Sequence, residues 1–184
     1  MKKIVLTLGM VALCSTALMA QKYMTRTARV SFNATAQGSP EKIEAINNEV
    51  ANIFDGKTGD VVFQMPVKSF KFERALMQEH FNENYMESDK YPKAEFKGAF
   101  AEMSGIDLNK DGTYDTKVSG LLTIHGVTNE VKVPGTVQVK GGNVILKAKF
   151  TVLLADYKIA IPAVVAGKLA KEAKIAIESN LTIK

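Results

Sequence analysis

Val118-Ser119-Gly120-Leu121-Leu122-Thr123-Ile124-His125-Gly126-Val127-Thr128-Asn129-Glu130-Val131-Lys132-Val133 is the stretch that decides the fold. Val118, Gly120, Leu122 and Ile124 alternate with Lys117, Ser119, Leu121 and Thr123. Beyond Gly126, Val131, Val133, Val137 and Val139 alternate with Lys132, Pro134, Thr136 and Gln138. A period of two puts successive side chains on opposite faces of a strand. Gly126 between two such runs predicts a hairpin.

Working outward, the same alternation recurs along most of the chain. Toward the C-terminus it marks Val144, Leu146, Ala148, Phe150 and Val152, then Ile175, Ile177, Leu181 and Ile183. Gly141-Gly142 predicts a second hairpin. Residues 163–172 are rich in alanine and lysine behind Pro162 and predict a short helix or an ordered loop. Toward the N-terminus, Phe96, Gly98 and Phe100 form one strand pattern, and Val61, Phe63, Met65 and Val67 another. Pro66 has no N–H for a ladder, so this strand should bulge or pair loosely there. Met24, Ala28, Val30 and Phe32 fall on alternate positions, with Arg26 breaking the face. Residues 41–54 are ambiguous, because Ile43, Ile46 and Val50 suit a helix while Ile43, Ala45, Ala51 and Ile53 suit a strand. The surrounding architecture favours the strand, which makes eight.

One helical segment interrupts the strands. Phe72, Leu76, Met77, His80, Phe81 and Tyr85 keep a three-to-four spacing, which predicts a helix over residues 72–84, ended before Pro92. Eight antiparallel strands must hide one apolar face, either by closing into a barrel or by stacking as two sheets. Closure also removes the edge strands. Phe32, Phe63, Phe96, Phe100 and Phe150 recur on the apolar face of separate strands, and in a small barrel all would point inward. A sandwich predicts the same alternation.

Residues 1–20 read as a secretory signal peptide: Lys2 and Lys3, an apolar run from Ile4, and small Ala20 at the end. The run is too short for a membrane span. Cys14 follows Leu13, where a lipoprotein anchor would need a small residue. The expectation is an exported protein, with residues 21–184 as one domain and no cysteine in it. Without Lys2 and Lys3 the formal net charge of +5 falls to +3. The lysines are scattered, and Arg26, Arg29 and Arg74 are the only arginines, a pattern that does not suit nucleic acid.

The remaining motifs favour binding over chemistry. Asp107-Leu108-Asn109-Lys110-Asp111-Gly112 resembles the opening of a calcium loop, yet its twelfth position is Val118, not glutamate, so a polar turn is the better reading. His80 and His125, the only histidines, make no dedicated zinc site without cysteine. His125, beside Gly126, reads as the anchor of a tight turn or as a polar group at a pocket mouth. No Gly-x-Ser-x-Gly elbow, phosphate loop or supported carboxylate pair is present. No enzyme activity, cofactor or metal is expected.

Three stretches resemble a known family: Gln78-Glu79-His80-Phe81-Asn82-Glu83-Asn84-Tyr85-Met86, Lys90-Tyr91-Pro92-Lys93-Ala94-Glu95-Phe96 and Gly120-Leu121-Leu122-Thr123-Ile124-His125-Gly126-Val127-Thr128. The chain resembles the YceI-like family of exported polyisoprenoid-binding proteins. That resemblance implies a lipocalin-like, eight-stranded antiparallel β-barrel with one inserted α-helix, located in the periplasm. It implies a long-chain isoprenoid or quinone-like lipid as partner, and with it transient contact with a membrane. The tail would run along Phe32, Phe63, Met65, Phe96, Phe100, Leu122, Phe150 and Val152. Phe81 and Tyr85 would close or line one end, Tyr157 and Val165 the other, with His125 at the polar mouth. The rival expectation is a structural or protein-interaction barrel with a plain phenylalanine core and no lipid. Nothing in the sequence fixes an oligomeric state.

Overall fold

The computed structural model describes residues 21–184. The leader reading of residues 1–20 lies outside them. Eight long strands build the wall: β1 (Lys22–Thr35), β2 (Glu44–Asp55), β3 (Asp60–Pro66), β5 (Lys93–Phe100), β6 (Gly112–Ile124), β7 (Val127–Lys140), β8 (Asn143–Leu153) and β9 (Leu169–Ile183). Each is antiparallel to its neighbours in chain order, and β9 returns to pair with β1. The sheet is therefore a closed up-and-down barrel, not a sandwich. A two-residue strand, β4 (Lys71–Phe72), adds to β2 opposite Ala45 and Ile46. Helix α1 (Ala75–His80) follows it and runs into a π-helical turn, Phe81–Tyr85.

Turn chemistry sets the register where the sequence indicated it. His125 and Gly126 have φ of 50° and 72°, and Gly141 and Gly142 have 57° and 79°. Positive φ at both central residues matches the right-handed strand twist of a two-residue hairpin. The Asp107–Gly112 segment is a polar turn: Asp107 Oδ1 accepts the Asn109 N–H at 2.9 Å, and Asp111 Oδ1 accepts that of Gly141 at 2.9 Å.

Two bulges explain where the periodicity misled. In β1 both Arg26 and Thr27 face solvent, and the pairing with β2 shifts between Thr25 and Ala28. The extra residue reverses the parity. Tyr23, not the expected Met24, therefore joins Ala28, Val30 and Phe32 inside. In β2, Asn48 and Glu49 are both exposed, and the Glu49 N–H bonds to Asn47 Oδ1 at 2.8 Å. Ala45 and Asn47 face inward before this slip, Val50, Asn52 and Phe54 after it. The helix-like spacing of Ile46 and Val50 is this change of face.

Three other expectations shift. The helix begins at Ala75, because Phe72 is taken by β4. Pro66 neither bulges nor pairs loosely; it is the last residue of β3, opposite Lys93, where its missing N–H is harmless. Residues 163–172 hold only a 3₁₀ turn, Ala163–Val165, before β9 begins at Leu169. Leu169 and Ala173 pack inward, so alternation overrides the alanine-rich composition.

The two ends of the barrel differ. One is solid: Tyr23, Phe54, Phe100, Val139, Val144 and Leu181 fill it, with the Phe54 and Phe100 rings perpendicular at 5.4 Å. Leu108, from the β5–β6 connection, is buried with them. Asn52 also points in there, giving an N–H to Val62 O at 2.9 Å and accepting the Ser179 hydroxyl at 2.9 Å. Both side chains are fully buried. Asn52→Ala strands the Val62 carbonyl and Ser179 hydroxyl together. It should lower unfolding free energy by about 1–3 kcal/mol in urea titration, whereas Asn48→Ala on the exposed bulge should change it by less than about 0.5 kcal/mol.

Candidate functional site: an apolar cavity under an aromatic lid

Strand parity puts one side chain in two of every wall strand inside, and nearly all of these are aliphatic or aromatic. Toward the open end the opposing walls do not meet. They leave a cavity of about 120 Å³, counted as the space open to the centre of a water-sized sphere. One water needs roughly 10–15 Å³ on that measure, so this is space for several, on a surface with almost nothing to hydrogen-bond them. Among the lining residues only Thr136 and Lys147 have polar side chains. Such a space suits an apolar occupant.

Phe32, Phe63, Met65, Phe96, Phe100, Leu122, Phe150 and Val152 from the alternating strands line this cavity, as does Phe81 from the helical segment. The sequence reading passed over Val30, Val61, Phe70, Met86, Val131, Val133 and Leu146, which line it too. Most share the parity of the aromatics already chosen, so the signal was present. Phe70 and Met86 come from irregular segments with no period to read. Gly98 and Gly120 face each other across β5 and β6. A Cβ on Gly120 would lie 2.3 Å from the Lys97 carbonyl oxygen, and one on Gly98 would lie 2.6 Å from the Phe96 ring. The glycines let the two strands close up and the Phe96 ring lie flat on the wall.

The lid is an aromatic cluster. Phe81, held by the π-helical turn, packs against Phe72 at 4.9 Å, Phe70 at 5.5 Å and Phe32 at 5.7 Å between ring centres. Beyond Phe81 lies a second groove of about 270 Å³ on the same measure, lined by Ile43, Leu76, Tyr85, Val165 and Leu169 among others. Phe32, Phe81, Met86, Leu154 and Ile159 border both spaces, so they form the partition. Val165 thus stands at the same end as Tyr85, not the opposite end.

The groove has a charged rim. Glu41 bridges Arg74, at the start of α1, and Lys168, at the start of β9, the latter at 3.0 Å. Hydrogen bonding and charge from Lys168, then the charge of Arg74, hold the Glu41 carboxyl below its ordinary value. The bridge is therefore complete at neutral pH and is lost only as pH falls through that depressed value.

His125 and Tyr157 line neither space. The His125 ring sits behind the wall: Nε2 meets Glu87 Oε2 at 2.8 Å, Nδ1 meets Tyr157 O at 3.0 Å, and the Tyr91 ring stands edge-on at 4.7 Å. The imidazole ties the β6–β7 hairpin to the segments after the lid and after β8. Tyr157 is buried beside it, and burial raises its phenol pKa. The structure makes His125 an anchor of the covers and not a group at the mouth.

A closed antiparallel barrel of eight strands has room for one small ligand, and this interior is apolar and covered by aromatic rings. The chain belongs to the YceI-like domain family, whose model matches residues 17–181. It is similar in fold to a polyisoprenoid-binding domain from Saccharophagus degradans, with TM-score 0.74 and 12% identity, covering 90% of this chain and 99% of that one. It is also similar to BcnA from Burkholderia cenocepacia, with TM-score 0.69 and 20% identity over 84% and 96% of the two chains. A YceI protein from Campylobacter jejuni gives TM-score 0.56 at 16% identity, over 76% and 85%. The curated proteins contain no match to the sequence.

Two outcomes check this geometry. Phe54→Ala, in the solid end, should cost about 3–5 kcal/mol of stability, whereas Phe150→Ala, on the cavity wall, should cost clearly less, because its ring already borders open space. His125→Ala should speed amide exchange in residues 86–91 and 154–157 while leaving β1 and β9 protected, measured by hydrogen–deuterium exchange with mass spectrometry.

Proposed function

We propose that the protein binds a polyisoprenoid or isoprenoid-quinone lipid in the periplasm and carries or stores it without changing it chemically. The observation that supports this most is the wall itself: a space bordered almost entirely by aliphatic and aromatic groups, lidded by Phe81. Family membership and the polyisoprenoid-binding relative point the same way. An occupant that removes about 400 Å² of apolar wall from water gains on the order of 10 kcal/mol gross. Association costs about 4–15 kcal/mol, so useful affinity needs a wall that is already formed. The barrel provides one.

The tail would lie along Phe63, Met65, Phe96, Leu122, Phe150 and Val152, and the head group at the rim of Glu41, Arg74 and Lys168. Among the described lining residues Lys147 is the only ionisable one, and it borders the cavity from the outer face of β8, so a bound chain meets no acid–base pair. Among the described residues no helix is long and apolar enough to cross a membrane, and no cluster of three potential metal ligands occurs.

Solvent extraction and mass spectrometry of protein purified from its native host test the reading. An isoprenoid should be recovered in near-stoichiometric amount, and its yield should fall severalfold in a folded Phe63→Ala/Phe150→Ala double variant. A lipid-free extract, together with no uptake of added isoprenoid, would favour the plain structural barrel. Equal lipid in the wild type and the folded double variant would overturn the residue assignment.

A further inference from the structure

The seam between β7 and β8 is incomplete. The two strands pair only from Lys140 opposite Asn143 to Gly135 opposite Ala148. Past that point β7 stays bonded to β6 as far as Val127, and β8 to β9 as far as Leu153, but not to each other. The ladder stops at Pro134, a residue with no N–H to offer either neighbour. The next tie across the seam is Asn129 Nδ2 to Asp156 O at 2.9 Å, just beyond β8. Residues 130–134 thus border a slit about 16 Å long at ~3.3 Å per residue. Pairing between β2 and β3 also thins, but there Asn47 bonds to Pro66 O at 2.9 Å and β4 extends the ladder on β2.

The slit lies against the cavity. Val131 and Val133 on one rim and Phe150 on the other are inward-facing wall residues that remain only half-buried. Thr136 and Lys147 project from the outer face by parity, yet both border the inner cavity. The same two residues, with Gly135 and Ala148, also line a groove on the outer surface. These are the last paired rungs of the seam, so the inner cavity and the outer groove lie back to back where the slit begins.

We propose that this slit is a lateral portal, through which an apolar chain enters and leaves the barrel broadside, and not along its axis past Phe81. The proposal rests on the reading that the interior holds such a chain. Axial entry must pull Phe81 out of contact with Phe32, Phe70 and Phe72. Lateral entry breaks no strand hydrogen bond, because none spans the slit; it needs only rotation of side chains such as Phe150. The unpaired backbone edges face water while the side chains behind them present apolar surface.

The test closes the slit reversibly. In the full chain carrying Cys14→Ser, Lys132→Cys and Thr151→Cys would face each other across the slit if the register continued. Disulfide formation is confirmed by mass, and all-trans-retinol, a fluorescent isoprenoid, is the probe. The reduced variant should load and release retinol as wild type does. The oxidised form should exchange it at least about tenfold more slowly with little change in Kd, and dithiothreitol should restore the rate. A Ser119→Cys/Lys132→Cys bridge, across the fully paired β6–β7 ladder, should leave exchange unchanged. Pro134→Thr, which supplies the missing N–H without a cross-link, should slow exchange by itself and covers the case in which the disulfide does not form. Retinol bound but exchanging at one rate in oxidised, reduced and Pro134→Thr proteins would overturn the portal, as would equal slowing by the β6–β7 bridge. Failure of wild type to bind retinol at all would overturn the occupancy reading beneath it.

Discussion

β1 is hydrogen-bonded along both edges, to β2 on one side and β9 on the other, and the rest of the molecule depends on that double pairing. A sheet of eight strands with one apolar face cannot stay open in water without exposing that face and two ladder edges. Closing it gives each inward side chain an opposite wall and leaves no free edge for most of the circumference. The bulges at Arg26–Thr27 and Asn48–Glu49 are part of the same solution, since a closing sheet needs local twist and bulges supply it. They also explain how the most polar strand, β2, fits: Asn47 and Asn52 turn inward but spend their amides on the Pro66 and Val62 carbonyls.

Closure fixes the wall but not what fills it. At one end large side chains meet across the axis, with Phe54 perpendicular to Phe100 and the Asn52–Ser179 bond behind them. At the other they fall short, and the chain spends β4, α1, the π-helical turn and the segment after β8 on covering the gap. Those covers are held by few ties: Glu41 to Arg74 and Lys168 on one side, His125 to Glu87 and Tyr157 on the other. The aromatic packing of Phe81 on Phe32, Phe70 and Phe72 adds to these ties. A plugged end, a covered end and a side seam left unpaired at Pro134 fit a protein that must hold an apolar molecule and also part with it.

The strands were legible in the sequence because period two survives in all but β1 and β2, and because Gly126 and Gly141-Gly142 mark hairpins by backbone need, while the choice of a barrel over a sandwich rested on edge closure and on the family resemblance. The inward aromatics followed from the same parity. What was hidden is whatever breaks a period. The bulges exchanged Tyr23 for Met24 and gave β2 a false helical spacing. Phe70 and Met86 reach the cavity from irregular segments. His125 stood in a motif that looked like a mouth, and only the fold shows its ring turned to Glu87 and the Tyr157 carbonyl. The β7–β8 hairpin was legible, but the end of its pairing at Pro134 was not, because the apolar alternation runs on past that point in both strands, through Val133 and Val131 and through Phe150 and Val152.

The central claim is that the interior wall, and not the outer surface or the rim alone, receives an apolar chain. Methyl-resolved NMR during titration with geranylgeraniol tests it directly. Methyl signals of Val61, Val131, Val133, Leu146 and Ile177, all on the cavity wall, should shift together, while those of Ile53, Leu121 and Leu153, exposed outside, stay in place. Shifts confined to the outer methyls, or none at saturating chain, would contradict the account.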